Sequence, residues 1–327
     1  MTVEYEAADI NEISFILRWR GSIMSAVVQQ KTIWILTLVH IGLLYGQLNL
    51  GWQCGSLWIG EDNATASAMA LVVFFSVFYS GNCFTRQNAF YATCMGMAGT
   101  CVNYAGLVRV HFPNADGKTM WNACRYVLAS VYVLYFELGG SASMGGVGLD
   151  DVEWEIMFRL KLLDPKEREV VDNHTGPRFM LLQKWALDGM VNLLAKSPAV
   201  QGASIAPFQE QVLALRGHCA MIRNTLKQPV PFPYYHTLLL MLLVNLLLLA
   251  YVLAGLESIW SVPCYFITAF VLLGFKETAI MLSDPFGNDA VDFDTDLFMS
   301  RMMVNVKALL SPQGDYHGEV MEVPSDV

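Results

Sequence analysis

The chain has 327 residues, of which 54% are hydrophobic and 15% are charged, and its formal net charge is −9. Soluble domains carry about 25% charged residues, so this composition excludes an ordinary soluble fold as well as a disordered chain. The negative net charge argues against nucleic-acid binding. A membrane protein with a sizeable polar portion remains.

The N-terminal arm, residues 1–30, is acidic at its start, with Glu4, Glu6, Asp9 and Glu12. It therefore lacks the positive region with which a cleaved signal peptide begins, and we expect the first membrane helix to direct insertion. The seven cysteines include no C-x-x-C pair, which gives no basis for a zinc site or a disulfide framework.

Four stretches without charged residues can each supply the roughly 20 residues that a membrane-spanning helix needs. We predict transmembrane helices 1 and 2 within 31–85 and helices 3 and 4 within 228–282. Another uncharged stretch, 87–108, holds several polar residues and is interpreted as a helix buried in protein. The four charge-free stretches are 32–60, 63–85, 228–256 and 258–275.

The middle region, 86–227, is predicted to be a helical cytoplasmic domain, because no β alternation of useful length occurs in it. Within it, Asp164, Pro165 and Glu167 have the spacing of a helix start, with an acidic N-cap and a proline in the first turn. The fold class predicted for the whole chain is therefore all-α: a multi-pass membrane protein with four transmembrane helices and a helical cytoplasmic domain.

The distribution of basic residues predicts the orientation in the membrane. The two short loops on one side, about 51–63 and 255–258, contain no lysine or arginine, so all 20 basic residues lie on the other side. The positive-inside rule then makes both termini and the middle region cytoplasmic.

The segment after the last span, within residues 283–327, carries five aspartates among the 13 residues that begin at Asp284. Carboxylates combined with proline and glycine turns suit Ca²⁺, which binds 6–8 oxygen atoms in irregular geometry. The alternative is a solvated acidic loop. No histidine or nucleophile–base pattern indicates catalysis, so we do not expect an enzyme.

Three residues of the second span, Ala70, Phe74 and Phe78, are four apart and share one helix face. Such a stripe commonly faces lipid or packs against a neighbouring helix. If it lines an axis of symmetry, the phenyl rings form a hydrophobic constriction that can gate by dewetting.

These features together resemble the bestrophin family of anion channels. The chain begins Met1-Thr2-Val3-Glu4-Tyr5, similar to animal bestrophins, and 19–23 reads W-R-G-S-I. Residues 284–293 are similar to the family pattern N-P-F-G-x-D-x-x-D-F, with aspartate in place of the first asparagine. Phe78-Tyr79 and Thr85-Arg86 resemble the end of the family's pore helix, where this chain departs by having Gln87-Asn88 in place of two tryptophans.

The resemblance implies a homopentamer in the lipid bilayer with one central pore, and Ala70, Phe74 and Phe78 as its neck. Ala70 is smaller than the aliphatic residue of animal members. It also implies a Ca²⁺ site. The ligands implied are the side chains of Asp284, Asp289 and Asp292, the carbonyl of Met281, and a carbonyl near Ile10 of a neighbouring subunit.

The function expected is a Ca²⁺-responsive channel for chloride and other small anions such as bicarbonate, with no nucleic-acid partner. One alternative is a non-conducting membrane scaffold or auxiliary subunit. Another is a plastid bicarbonate channel or a cation-selective channel of the same fold. The plasma membrane is the favoured location, and a plastid or other organelle membrane is the alternative.

Overall fold

In the computed structural model, residues 19, 22–54, 64–139, 149–196, 199–200, 202–228, 231–287 and 291–311 are described. The chain divides into two compact units. The first unit contains Met1–Tyr91 and Thr225–Phe293, and the second contains Ala92–Asn224 and Asp294–Val327.

Regular secondary structure in the described residues is helical, which confirms the predicted all-α class. The helices are α1 (Ile23–Val28), α2 (Lys31–Asn49), α3 (Ala64–His111), α4 (Gly117–Gly139), α5 (Asp151–Arg159), α6 (Pro165–Asp172), α7 (Arg178–Lys196), α8 (Ala206–Lys227), α9 (Phe232–Ala254), α10 (Ser261–Ser283) and α11 (Thr295–Leu310).

Four of the described helices are long and apolar enough to cross a membrane, as the charge-free stretches predict. They are α2, α9 and α10 over their full lengths, together with Met69–His111 of α3. Each has a nearly uniform distribution of apolar residues around its axis, as expected of helices that contact lipid on one side and protein on the other.

Helix α3 is one continuous helix of 48 residues. Sequence analysis separates 63–85 from 87–108 at Arg86, but the structure has no helix end there. One reason is that the segment from Ala64 to His111 contains no proline. A second reason is that the charged side chain of Arg86 is satisfied by hydrogen bonds to carbonyl groups, so the helix need not end there to expose it to water. The helix ends at His111, two residues before Pro113.

The first unit is built around α2, α9 and α10, whose facing sides bury an aliphatic cluster that includes Leu36, Leu246 and Leu272. His40 lies fully buried beside this cluster. Its Nδ1–H donates to the carbonyl of Ala250, and its Nε2 lies 3.1 Å from the Ser261 hydroxyl. Each polar atom of the ring thus has a partner, which a buried imidazole needs.

The second unit is built around α4, which is buried from Val127 to Phe136 and packs against α7 and α11. The predicted helix start at Asp164 is confirmed. Its carboxylate accepts hydrogen bonds from the backbone N–H groups of Lys166 and Glu167, and the Glu167 side chain accepts one from the N–H of Asp164. Asp150 forms an equivalent capping box at the start of α5.

Candidate functional site

The aromatic stripe of α3 lies on the exposed side of the helix. Phe74 is 62% exposed and Phe78 is 58% exposed, and Ala70 is also exposed. The two phenyl rings are stacked, with centroids 6.2 Å apart and planes at 20° to each other. The stripe therefore presents two nearly parallel rings, one helical turn apart, that are left uncovered by the described part of the chain.

The opposite side of α3 is buried in the first unit. Tyr79 and Cys83 pack in a cluster with Leu238 of α9 and Ala279 of α10. Val72 joins the aliphatic cluster of the same unit. With 3.6 residues per turn, these buried positions lie about 140–180° from Phe74 around the helix axis, so packing fixes the direction in which the rings face.

On the exposed side of α3, polar side chains follow the two phenyl rings. Thr85 and Asn88 are both exposed and lie within about 40° of Phe74 around the axis. The Thr85 hydroxyl donates to the carbonyl of Gly81, which is also exposed. A single line along α3 thus passes from bulky aromatic side chains to small, uncharged polar ones.

The acidic turn, which is described over 284–287 and 291–293, follows α10. The N–H of Phe293 donates to the carbonyl of Pro285 at 2.9 Å, which joins the two ends of the turn. The carboxylate of Asp292 is buried, at 3% exposure for the residue, whereas Asp284 is exposed. A Cβ on Gly287 would lie 3.0 Å from Asp292 Oδ2, so a side chain there would require the Asp292 carboxylate to shift.

Aromatic side chains attach this turn to α3. Phe286 is buried and makes edge-to-face contacts with Phe90 and Phe293, with ring centroids 5.5 and 5.7 Å apart. Phe293 in turn contacts Tyr91 at 6.0 Å. Such pairs contribute about 0.5–1.5 kcal/mol each beyond the area they bury. The apolar residues of the turn are therefore its anchors, and its carboxylates are supported by them.

Hydrogen bonds from Arg86 and Gln87 connect α3 to the same turn. Arg86 Nε donates to the carbonyl of Ser283, the last residue of α10, and its terminal nitrogens donate to the carbonyls of Thr225 and Gln228. Gln87 Nε2 donates to the carbonyl of Val291 inside the turn. A guanidinium at a helix C-terminus satisfies carbonyls that have no intrahelical donor and interacts favourably with the helix dipole.

The predicted Ca²⁺ ligands are only partly within the described residues. Met281 lies in the last turn of α10, where carbonyls lack intrahelical donors, and Asp284 and Asp292 flank the turn. Ile10 and Asp289 lie outside the described residues. No group of three His, Cys, Asp or Glu that could hold a metal ion occurs in the part of the chain that the structure describes. Carboxylates and backbone carbonyl groups are the oxygen donors that Ca²⁺ prefers. The two aspartates and the carbonyl groups at the end of α10 are therefore of the kinds that a Ca²⁺ site needs.

Sequence analysis did not identify Arg86, Gln87 and Phe90 as the residues that hold the acidic turn against α3. One signal was available, because Arg86 is the only charged residue between Ala64 and Val108. A lone charge in such a stretch needs a specific partner. Its acceptors, however, are carbonyl groups more than 130 residues away in sequence, and no side-chain pattern marks them.

Solved structures share this fold. A crystal structure of a bacterial bestrophin homologue from Klebsiella pneumoniae matches with a TM-score of 0.71 and 15% identity, covering 85% of this chain and 97% of that one. A variant of that homologue matches with a TM-score of 0.70 and 16% identity over the same shares. A crystal structure of a membrane protein matches with a TM-score of 0.70 and 17% identity, covering 87% of this chain and 97% of that one.

No curated protein sequence matches the chain. A family model described as Bacterial/Fungal Bestrophin protein matches residues 3–308. The N-terminal motif resembles animal members, whereas the matching model is bacterial and fungal, so the match confirms the resemblance at the level of the family. Because the match covers nearly the whole chain, and the four spanning helices and the fold agree with it, the chain belongs to the bestrophin family.

Proposed function

We propose that this chain forms a homopentameric channel in which Phe74 and Phe78 constrict the pore. The observation that carries the proposal is the exposed line along α3, where two stacked phenyl rings are followed by Thr85 and Asn88. A lipid-facing helix side gains nothing from the exposed amide of Asn88, whereas a water-filled passage below a hydrophobic constriction is lined by such polar groups.

The charge pattern of α3 favours anions as the permeant ions. From Ala64 to His111 the sequence contains no aspartate or glutamate. Rings of carboxylates are the usual feature of cation-selective pores, and a passage lined by α3 would lack them. The edges of phenyl rings carry partial positive charge, so edge-on rings tolerate a partly dehydrated anion. Chloride and bicarbonate are the ions proposed.

Ca²⁺ bound by the acidic turn is proposed to control the constriction. The proposed ligands are Met281 through its carbonyl, Asp284, Asp289 and Asp292, with a carbonyl near Ile10 of a neighbouring subunit completing the site. When bound, the ion would offset the repulsion among these carboxylates and favour one arrangement of the turn.

The contacts of the turn supply the connection to the neck. Arg86 bonds to Ser283, just before the turn, and Gln87 bonds to Val291 within it; the two residues follow Phe78 by eight and nine positions on the same helix. An ion that favours one arrangement of the turn therefore favours one position of α3. This is a population shift, and its size is limited by the difference in Ca²⁺ affinity between the two arrangements.

The channel is proposed to lie in the plasma membrane, with a plastid or other organelle membrane as the alternative, and with both termini on the cytoplasmic side. The sequence supports this orientation because the two short loops opposite the termini contain no lysine or arginine. Accessibility of cysteines introduced near Glu61 and near Arg301 to a membrane-impermeant reagent, added on each side in turn, tests it.

Currents through planar bilayers that contain the purified protein test the channel proposal. We expect anion-selective currents whose reversal potential approaches about 59 mV for a tenfold chloride gradient. Phe74→Ala with Phe78→Ala should raise the current measured without Ca²⁺, because the hydrophobic constriction is removed. Val73→Ala is the control, since Val73 is exposed but lies about 100° from Phe74 around the helix.

Three results would each overturn a part of the proposal. Silent bilayers with and without Ca²⁺ would favour the non-conducting scaffold. A double variant with unchanged current and unchanged Ca²⁺ dependence would remove Phe74 and Phe78 from the neck. A subunit count other than five, from averaged electron micrographs viewed along the membrane normal, would overturn the assembly.

Asp292→Asn tests the Ca²⁺ site. It removes a buried carboxylate and keeps the side-chain shape, so Ca²⁺ binding measured by calorimetry should weaken and the Ca²⁺ dependence of the current should shift to higher concentration. Asp296→Asn makes the same charge change at an exposed position in the first turn of α11. Equal effects of the two variants would show that only the general acidity of the segment matters.

A further inference from the structure

We propose that the second unit contains a binding site for a soluble anion with several phosphate groups, in a cavity that shares no lining residue with the proposed neck or the acidic turn. The cavity has a volume of about 950 Å³. It is lined by the first turns of α4, the end of α5, the start of α6, and Lys307 of α11. None of its residues belongs to a membrane-spanning helix.

The lining is strongly basic although the chain as a whole is acidic. Five of the chain's 20 lysines and arginines line this one cavity, in a protein of net charge −9. Arg125 is neutralised by Glu167, whose carboxylate it contacts through both terminal nitrogens. Four cations remain against the single carboxylate of Asp164, and these are Lys118, Arg159, Lys161 and Lys307.

The four cations make no ion pair with a carboxylate in the described residues. They come from three separate helices and one helix end, so their proximity is produced by the tertiary structure. A concave surface with charges of one sign concentrates ions of the opposite sign. A ligand with several charges spaced along its length can contact more than one of them, whereas chloride contacts one at a time.

The backbone at Lys161 is a second, independent observation. Lys161 follows the end of α5 and has φ +56°, a left-handed conformation that glycine adopts without strain. The N–H of Lys161 donates to the carbonyl of Phe158, and that of Leu162 donates to the carbonyl of Met157, which is a Schellman motif. A lysine here costs stability relative to glycine, and its side chain adds a cation to the cavity.

Trp121 contacts two of the four basic residues. Its indole N–H donates to the carbonyl of Lys161 at 3.1 Å, and Lys307 Nζ lies 5.8 Å from the centre of its ring. The indole thus fixes one lysine through its backbone and attracts another by a cation–π interaction. Positioning before binding lowers the entropic cost of ordering flexible side chains around a ligand.

The test uses the purified full chain in detergent micelles and calorimetric titration with inorganic tripolyphosphate in 150 mM KCl, with orthophosphate as the comparison. We expect saturable binding of tripolyphosphate that is tighter than that of orthophosphate. Lys307→Ala should weaken it about tenfold, because it removes one charge-assisted contact. Lys196→Ala is the matched control, since Lys196 is likewise an exposed lysine in the last turn of a helix but does not line the cavity.

Lys161→Gly separates binding from folding. It should weaken tripolyphosphate binding about tenfold and at the same time raise the midpoint of thermal unfolding, because glycine relieves the left-handed backbone. Weaker binding by a more stable variant cannot result from unfolding. A stabilised variant with unchanged binding would overturn the site.

Absence of saturable tripolyphosphate binding, or equal weakening by Lys196→Ala, would overturn the proposal. Two other outcomes identify the source of the ligand. The same phosphate chemistry occurs in lipid headgroups, so vesicles that contain phosphatidylinositol bisphosphate form a second arm. Competition between these vesicles and tripolyphosphate for the wild-type chain, lost in Lys307→Ala, would identify the lipid as a second source for the same site. Binding of tripolyphosphate alone identifies the soluble ligand.

Discussion

Replacing Arg86 with lysine should loosen the connection between α3 and the acidic turn. Arg86 donates three hydrogen bonds, of 2.7–3.0 Å, to carbonyls at three places in the chain. A lysine ammonium cannot reach three acceptors arranged around a planar guanidinium, so we assume that one bond survives. Losing two charge-assisted bonds, one of them at the surface, should lower the free energy of unfolding by about 2–4 kcal/mol.

The assay is thermal unfolding of the purified protein in micelles at one fixed scan rate, because membrane proteins unfold irreversibly and the midpoint depends on the rate. The control is Arg223→Lys, since Arg223 is also partly buried but makes no hydrogen bond or ion pair with the described residues. We expect a lower midpoint for Arg86→Lys alone, together with a weaker response of the current to Ca²⁺. Equal midpoints for the two variants would refute the reasoning.

Two other predictions concern stability in the second unit. A Cβ on Gly96 would lie 2.7 Å from the ring of His218, whereas Gly99 on the same helix has open space. Gly96→Ala should therefore destabilise the chain by about 1 kcal/mol or more, and Gly99→Ala should stabilise it by about 0.5–1 kcal/mol. Thermal unfolding measures both changes, and a Gly96→Ala variant more stable than Gly99→Ala would contradict this packing. Burial raises the pKa of the Glu153 carboxyl, so its ionised form becomes costly as the pH rises through that pKa. The Glu153→Gln variant keeps an oxygen that can accept the hydrogen bond from the N–H of Asp150. It should be more stable than the wild type at pH 7 but not below about pH 4, where the carboxyl of the wild type is protonated. A stability gain of the same size at both pH values would contradict this reasoning.

The number and positions of the spanning helices could be predicted from sequence, because the cost of a charge in the bilayer leaves long uncharged stretches. The start of α6 could be predicted as well, because a capping box is a local pattern of Asp164, Pro165 and Glu167. The continuity of α3 through Arg86 could not. A partly buried guanidinium is tolerated when distant carbonyls accept its hydrogen bonds, and those carbonyls belong to Thr225, Gln228 and Ser283.

The acidic segment shows the same limit. Asp284 and Asp292 look equivalent in the sequence, yet one is exposed and the other is buried against Gly287. Their difference comes from the contact of Phe286 with Phe90 on α3, which no local pattern encodes. The basic cavity was missed for a related reason, because its cations are spread from Lys118 to Lys307 and meet only in the folded chain.

The sequence of α3 between the phenyl rings and Thr85 bears on how a channel built from it opens. Proline is absent from the helix, and the Ser80-Gly81 pair just after Phe78 is the position in this stretch at which bending is easiest. Widening at the rings then comes from a bend at this pair, from a tilt of the segment that carries Phe74 and Phe78, or from a change in the rotamers of these two side chains. A bend would move the rings without moving Thr85 and Asn88, whereas a tilt would move all four residues together.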